Sequence, residues 1–293
     1  MTYSIVARDP ESGQYGVAVQ SHWFCVGGLV PWARPGVGAV ATQANVAVSY
    51  GPRGLDLLAG GAAAGDVVRR LFADDPAAAT RQVAVVDAHG AVAAHTGSGC
   101  VPFAGHARGD GVCCQGNMLA SGEVWPAMLA AFEASAGQEL VWRLLAALDA
   151  GEGAGGDARG RQSAALLVVG EPGEPWEALV SLRVDDHPDP LVELRRLLGL
   201  HEAYALADAA DGLVAQGRHQ EAAELYERAR TLAPDSHELT FWAGLGLAQS
   251  GDMEGAVDRV RQAIDAHAAW RDILDRLPPE MAPAAEAVRE RLP

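Results

Sequence analysis

The stretch TYSIVARDPESGQYGVAVQ, residues 2–20, holds two runs of alternating side chains on either side of a short polar segment. Residues 2–7 and 14–20 each alternate with a period of two, which is typical of β-strands. The intervening DPESG, residues 9–13, combines Pro, Gly, Asp and Ser, the residues that favour turns. The stretch therefore predicts a β-hairpin whose first strand starts at the second residue of the chain.

Length and composition indicate a globular protein. The chain has 293 residues, of which 49% are hydrophobic and 20% charged, enough for one large domain with an appendage or for two ordinary domains. The formal charge of −16 repels phosphate backbones and anionic lipids, so we expect neither a nucleic acid nor a membrane as partner. All 22 basic residues are arginine, which removes lysine from any catalytic scheme. No GxxxxGK[ST] phosphate loop occurs, and we expect no cofactor.

The start of the chain and the cysteines indicate a reducing compartment. The N-terminus lacks the basic and apolar segments of a secretory signal, and no run of about 18 apolar residues occurs. Cys25, Cys100, Cys113 and Cys114 show neither CxxC pairing nor Cys/His ligand spacing. We therefore expect a cytoplasmic protein with buried or half-buried thiols and no metal site.

Strand and helix signals follow one another in blocks through the first two thirds of the chain. The predicted elements are a glycine-punctuated strand or strand pair at 36–48, two short helices within 51–76, two strands within 81–100, helices from 116 to 150, and strands within 161–171 and 177–186. Blocks of strands and helices favour an α+β domain with antiparallel sheets covered by helices, and they do not suit a regularly alternating parallel fold.

The last third of the chain has a different composition and an internal repeat. Pro188 and Pro190 precede a predicted helix at 191–217, after which Ala, Glu and Arg dominate. Small and large residues recur after 34 positions: Ala210, Leu213, Ala222, Tyr226 and Ala229 correspond to Gly244, Leu247, Ala256, Val260 and Ala263. This period resembles the tetratricopeptide helix-turn-helix repeat, with a generic helical hairpin as the alternative. Two such units are too few for independent stability. We therefore expect this C-terminal arm, residues 203–293, to pack against the first domain, against another copy of the chain in a homo-oligomer, or against a protein partner.

Thr2 combines a hydroxyl and, if Met1 is removed, a free α-amine on one residue. An α-amine has a pKa of about 7.7 to 8.0, so near neutrality it can accept the hydroxyl proton and act as the base for its own nucleophile. A strand start holds such a nucleophile rigidly and offers backbone N–H groups for an oxyanion.

The hairpin and five further segments carry a resemblance to a known family. These segments are VATQ, YGPRGLDLL, QGNML, GGDARGRQSAALLV and RVDDHPDPLVELRRLL. Together they resemble the family called domain of unknown function 1028, which is grouped with the N-terminal nucleophile hydrolases. The resemblance covers roughly residues 1–200 and implies a four-layer αββα sandwich. We predict such a domain over 1–190, a linker helix over 191–202, and a small all-α tetratricopeptide-like region over 203–293.

The chain departs from the proteasome-type members of that superfamily at two points. Those members have an aspartate after the second strand and a lysine in a later strand, whereas this chain reads Gln20-Ser21-His22 and has no lysine. The departure disfavours peptidase chemistry and leaves hydrolysis of small amides open. Ser21, Gln43 or an arginine would then tune the amine, and the QGNML segment adds Asn117 as a substrate-binding candidate.

The segment GGDARGRQSA, residues 155–164, concentrates polar groups just before an apolar strand. A functional interpretation has Asp157 orienting the ammonium or the substrate, while Arg159, with Arg161 and Gln162, binds a substrate carboxylate. The alternative is a solvated turn in which the Asp and Arg side chains pair with each other.

Two further clusters contain metal-ligating or nucleophilic side chains. Asp185, Asp186, His187 and Asp189 include suitable metal ligands, but a strand terminus with Asp189 capping the next helix explains them better. Cys100 with His95 is a possible nucleophile pair that no feature of the sequence activates. The sequence as a whole predicts an amidohydrolase that acts on a small polar amide through Thr2. The alternative is a non-catalytic scaffold or binding protein whose arm docks a partner.

Overall fold

A computed structural model of the chain describes residues 2–292. The chain divides into two compact units, with the boundary between Arg195 and Arg196. The strands of the first unit are β1 (Thr2–Arg8), β2 (Tyr15–Ser21), β3 (Pro31–Arg34), β4 (Gly38–Ala44), β5 (Arg81–Asp87), β6 (Val92–Thr96), β7 (Gly105–Gly109), β8 (Val112–Asn117), β9 (Ser163–Val169) and β10 (Val180–Val184). Its helices are α1 (Tyr50–Ala59), α2 (Ala64–Phe72), α3 (Val124–Ala134) and α4 (Leu140–Gly153), and α5 (Pro190–Ala215) contains the boundary.

The predicted N-terminal hairpin lies at the centre of the larger sheet. This sheet has the order β10-β9-β2-β1-β8-β7, and every neighbouring pair is antiparallel. The hairpin register runs from Tyr3 opposite Gln20 to Arg8 opposite Tyr15, and Gly13 takes a φ of +70° in the turn. The hairpin prediction is confirmed, and it places the first residues of β1 beside the last residues of β2 and β8.

The smaller sheet has the order β3-β4-β5-β6 and is also antiparallel throughout. One buried cluster joins the two sheets, because it contains Val17 and Val19 of β2 together with Ala39 and Ala41 of β4. Alternation along these strands directs every second side chain to this shared core. Most residues that the larger sheet contributes to this core are valines, and most that the smaller sheet contributes are alanines.

Helices cover the outer face of each sheet. Helices α1 and α2 pack on the smaller sheet through Leu55, Val67 and other buried residues, and α3 and α4 pack on the larger one. A Cβ on Gly16 would lie 2.4 Å from Leu144 Cδ1, so α4 approaches β2 closely there. The predicted α+β class with antiparallel sheets is confirmed.

Element boundaries differ from the predictions in several places. Helix was predicted from residue 116, but β8 extends to Asn117 and α3 begins only at Val124. Strands β3 and β7 were not predicted at all, because both are short and only partly buried and their sequences carry little alternation. The strand predicted within 177–186 is confined to Val180–Val184, so Asp185 and His187 do not share a strand face.

The second unit is helical, as predicted. After α5 it consists of α6 (His219–Leu232), α7 (His237–Ser250), α8 (Met253–Ala266), α9 (Ala269–Arg276) and α10 (Ala285–Arg289). Glycines of α7 allow close packing with both neighbouring helices. A Cβ on Gly246 would lie 2.5 Å from Tyr226 of α6, and one on Gly244, a position of the repeat, would lie 2.8 Å from Val260 of α8. Consecutive helices thus pack closely where the sequence has glycine. None of the helices in residues 2–292 combines the length and apolarity that a membrane span requires.

Candidate functional site

Polar side chains collect at the end of the two sheets where β1 begins. Thr2 is opposite Asn117 of β8, and Gln43 of β4 is opposite Gln82 of β5 in the facing sheet. All four residues are buried. Strand pairing within each sheet and the packing of one sheet on the other therefore bring together three of the predicted site residues and add Gln82, which was not predicted.

The hydroxyl of Thr2 lies within hydrogen-bonding distance of another hydroxyl. Thr2 Oγ1 is 3.1 Å from Ser21 Oγ, and Thr2 is only 6% exposed. Thr2 is the first residue of β1 and Ser21 the last of β2, so the antiparallel hairpin makes them neighbours. Ser21 was predicted to tune Thr2, and this contact gives it the position to do so.

Side-chain amides link the hydroxyl pair to the facing sheet. Gln43 Nε2 donates to the backbone oxygen of Thr2 at 3.3 Å and to Gln82 Oε1 at 2.8 Å. Asn117 Nδ2 donates to the same Gln82 oxygen at 3.0 Å. A buried amide network of this kind is stable only when its members find partners, and here it fixes the main chain of Thr2.

Ser4 and Gln115 extend the network along the same inward faces. Ser4 Oγ donates to Gln43 Oε1 at 2.7 Å, and Gln115 Nε2 donates to Ser4 Oγ at 3.2 Å and to the Ala41 oxygen at 3.1 Å. The sequence does carry a signal for them, because Ser4 and Gln115 are polar residues inside otherwise apolar strands. That signal does not say which of the two strand faces turns inward.

At its other side the network ends in a hydroxyl and an imidazole. Gln82 Nε2 lies 3.0 Å from Thr96 Oγ1, 3.0 Å from the Gly105 oxygen and 2.8 Å from the Gly116 oxygen. Thr96 Oγ1 in turn lies 2.9 Å from His106 Nδ1. Burial, with a smaller effect of the neighbouring Arg108 charge, lowers the pKa of His106 from its usual 6.5.

Asp157 connects the ends of β2 and β8. Its Oδ2 accepts a hydrogen bond from the His22 backbone N–H at 2.9 Å, and Leu119 forms an isolated antiparallel bridge with Asp157. Arg159 donates to Asp157 from its backbone at 3.0 Å and from its guanidinium at 3.2 Å. The Asp157 side chain is fully buried, whereas that of Arg159 is 31% exposed. The turn thus has the predicted Asp–Arg pairing, but with its carboxylate buried at this end of the sheets.

Arg161 and Gln162 pair with acidic residues elsewhere. Arg161 Nε donates to Glu152 Oε1 at 2.6 Å, and its other nitrogen donates to Asp189 Oδ1 at 3.0 Å. Glu152 also accepts from the Tyr3 hydroxyl at 2.8 Å, and burial raises the pKa of Tyr3 well above its usual 10. Tyr3 and Thr2 are consecutive on β1 and so point to opposite faces, which separates this group from the Thr2 network. Gln162 donates to Asp186 at 3.2 Å.

The other candidate clusters show ordinary structural contacts. All four cysteines are free thiols, three of them buried and Cys25 partly so. Cys100 donates to the Arg81 oxygen at 3.4 Å, and burial raises its pKa, so the thiolate that a nucleophile needs is disfavoured. Asp185 pairs with Arg183 at 2.8 Å. Over residues 2–292, His, Cys, Asp and Glu form no group of three or more that could hold a metal ion.

Fold and site together define an α+β protein with two facing antiparallel sheets and a buried hydroxyl-and-amide cluster at their shared end. The chain belongs to the family of unknown function DUF1028, whose sequence profile matches residues 2–194. Its fold is similar to the crystal structure of a DUF1028 protein from Silicibacter pomeroyi, with a TM-score of 0.61 and 37% identity. That match covers 67% of this chain and 87% of the other. Comparison with curated proteins gave no match.

Proposed function

We propose that the chain is an N-terminal-nucleophile-type amidohydrolase that cleaves a small polar amide with Thr2, after removal of Met1 exposes the threonine amine. Met1 lies outside the described residues. The observation that carries the proposal is the position of Thr2, which starts the central strand of a two-sheet sandwich with its hydroxyl 3.1 Å from the Ser21 hydroxyl. The facing sheets with helices on both outer faces support the same class of fold.

The reaction follows from the two groups on Thr2. The α-amine takes the hydroxyl proton as the oxygen attacks the amide carbon, and the ammonium then gives that proton to the leaving nitrogen. The C–N bond breaks and an ester to Thr2 forms. Water then attacks the ester carbon, the amine again takes and returns a proton, and the carboxylic acid leaves with Thr2 restored.

The surrounding residues have distinct roles in this proposal. Ser21 orients the Thr2 hydroxyl, and Gln43 holds the Thr2 main chain through its 3.3 Å hydrogen bond. An asparagine amide has two hydrogens; Asn117 uses one on Gln82 and presents the other to the developing oxyanion. Asp157 fixes the His22 main chain and the guanidinium of Arg159.

Arg159 is the residue we propose for binding a substrate carboxylate. Its guanidinium is 31% exposed and pairs with the buried carboxylate of Asp157, whereas the Arg161 guanidinium is shared between Glu152 and Asp189. A planar guanidinium binds carboxylates through two parallel N–H bonds, which a point charge cannot reproduce. The substrate class is therefore a small amide with a carboxylate nearby.

For the test, the protein is expressed as a ubiquitin fusion, and cleavage of the fusion releases a chain whose first residue is Thr2. Succinyl- and acetyl-p-nitroanilide serve as charged and neutral substrates, and a β-lactone serves as a covalent probe for the nucleophile. We expect the succinyl compound to be cleaved faster and the lactone to acylate the tryptic peptide TYSIVAR. Thr2→Ala should lower kcat/KM by roughly a thousandfold or more, while the lost hydrogen bond costs about 1 kcal/mol of stability.

Thr2→Ser is the matched control, because it keeps a hydroxyl at the same atom and should retain measurable turnover. Full turnover by folded Thr2→Ala would overturn the proposal. So would intact-mass spectra showing that Met1 is retained on the chain expressed without the fusion. Equal cleavage of the two substrates would remove the role given to Arg159.

A non-catalytic scaffold is the second candidate, and one observation favours it. Thr2 is only 6% exposed and already hydrogen-bonded to Ser21, as a purely structural hydroxyl would be. In that case Thr2→Ala and Ser21→Ala would each lower stability by about 1 kcal/mol and the lactone would leave TYSIVAR unmodified.

A further inference from the structure

The second unit contains a cavity of about 670 Å³ between its helices. It is lined by residues of α5, α6 and α7 and by the segment that precedes α10. Pockets that hold ligands have volumes in this range, so the cavity has room for a ligand as large as several amino-acid side chains. The cavity is made by residues of the second unit alone, and no part of the proposed hydrolase site contributes to it.

The charges that line the cavity all have one sign. Asp208, Asp211, Glu238 and Glu280 are among its lining residues, while the described lining includes no arginine and no histidine. The chain has no lysine. None of the four carboxylates forms a salt bridge with a described residue. The cavity is thus electrostatically complementary to a cation.

Aromatic residues share the lining of the cavity with these carboxylates. The Tyr204 hydroxyl donates to Glu238 at 2.6 Å, and the Tyr226 hydroxyl donates to Asp211. Each bond holds a carboxylate at the hydroxyl end of a tyrosine ring, and Trp242 adds an indole to the lining. The lining therefore combines carboxylate oxygens with aromatic rings, whose faces attract cations through their quadrupoles.

The lining also contains a buried acceptor without a hydrogen-bond donor. Gln249 Oε1 is buried and has no partner among the described residues. A buried carbonyl oxygen left without a donor costs about 1–3 kcal/mol, and an N–H group of a ligand would remove that cost.

The distribution of the acids distinguishes between kinds of cation. Metal ions need oxygen ligands that converge on one point, and no described group of three carboxylates does so. A guanidinium, by contrast, offers five donors in a plane, pairs with carboxylates at its edge and stacks on aromatic rings. We propose that this cavity binds an arginine side chain carried by a segment of a partner protein.

The experiment is a selection of heptapeptides from a random displayed library by the full-length chain at physiological salt. We expect arginine to be enriched at least threefold over the input library in the selected peptides. The best binder, resynthesised with citrulline in place of arginine, should bind at least tenfold more weakly, because citrulline keeps the shape and loses the charge.

A charge-removing variant and a matched control complete the test. Asp208→Asn combined with Glu280→Gln should abolish the arginine enrichment, while Asp265→Asn combined with Glu290→Gln, which removes two acids outside the cavity lining, should keep it. Thermal unfolding of both variants checks that they fold. The proposal is overturned if the selected peptides show no arginine enrichment, or if lysine is enriched as strongly as arginine. It is also overturned if both variants lose the arginine enrichment equally, or if spermidine competes for the cavity with an affinity equal to that of the peptide. Because the readout is peptide binding, it does not depend on hydrolase activity.

Discussion

Individual buried side chains decide what the end of the two sheets can do. Gln43, Gln82 and Asn117 share hydrogen bonds in a space from which water is largely excluded. Each such bond contributes about 1 kcal/mol net, whereas removing one partner leaves a buried group that costs about 1–3 kcal/mol. The network is therefore rigid, and rigidity is what a nucleophile at Thr2 requires.

Only part of this network could be predicted from the sequence. Thr2, Ser21 and Gln43 stood out because of the hairpin and the family resemblance, and the structure brings them together. Gln82 could not be assigned, because its contacts depend on how one sheet packs on another. Arg161 and Gln162 were grouped with Arg159 as neighbours in sequence, but successive residues of a turn diverge, and their side chains pair with other acids.

His106 gives a prediction about pH. Burial lowers its pKa below the ordinary 6.5, so between the folded and the unfolded pKa the unfolded chain binds more protons. Stability then rises with pH through this window and is lost on acidification below about 6.5. We expect His106→Gln to lose less thermal stability than the parent between pH 7.5 and pH 5, measured by circular dichroism.

His89→Gln is the control for this measurement, because His89 is an exposed histidine in the turn between β5 and β6. It should reproduce the parent's change in Tm with pH. An unchanged pH response in His106→Gln would contradict the role given to burial of the imidazole.

Elements with strong local signals were predicted well, and those that depend on distant partners were not. The hairpin β1–β2, the strands β5 and β6 and the helices α1 and α2 each have periodic side chains bounded by Gly or Pro. Strand β8 was not predicted, and its last two residues, Gly116 and Asn117, fall inside the helical segment predicted from residue 116. Its strand conformation comes from pairing with β1 and β7, which no local pattern encodes.

Gly38 gives a prediction for the smaller sheet. It begins β4 with a φ of +142°, and a Cβ there would lie 2.3 Å from the Val86 backbone oxygen. Because a backbone atom cannot give way as a side chain can, Gly38→Ala should lower the free energy of unfolding by at least about 2 kcal/mol. Urea denaturation followed by tryptophan fluorescence measures this change.

Gly65 is the matched control, since it lies in α2 and a Cβ there would meet no atom within 4 Å. Gly65→Ala should leave stability unchanged or raise it by up to about 1 kcal/mol, because alanine loses less entropy in a helix. Equal effects of the two substitutions would show that the Gly38 contact does not determine stability.

At the scale of the whole molecule, the chain holds separate hydrophobic cores. Two buried clusters consist of residues numbered below 170, including the inter-sheet core. Two others consist of residues 203–292. Folding of a domain depends on its own core, so the family-matched part of the chain, residues 2–194, has the means to fold by itself.

We therefore expect a chain ending at residue 202 to keep its fold and its proposed chemistry. The strands that bring Thr2, Ser21, Gln43 and Asn117 together all lie before residue 170, so labelling of Thr2 by the β-lactone should match that of the full-length chain within about twofold. Circular dichroism should show a single cooperative thermal transition, as for an ordinary domain of this size. Peptide binding at the acidic cavity should be lost completely, since all of its lining residues lie beyond residue 203. A truncated chain that unfolds without cooperativity would mean that the first unit needs the second for stability. A folded one that no longer reacts with the probe would mean instead that the second unit shapes the site.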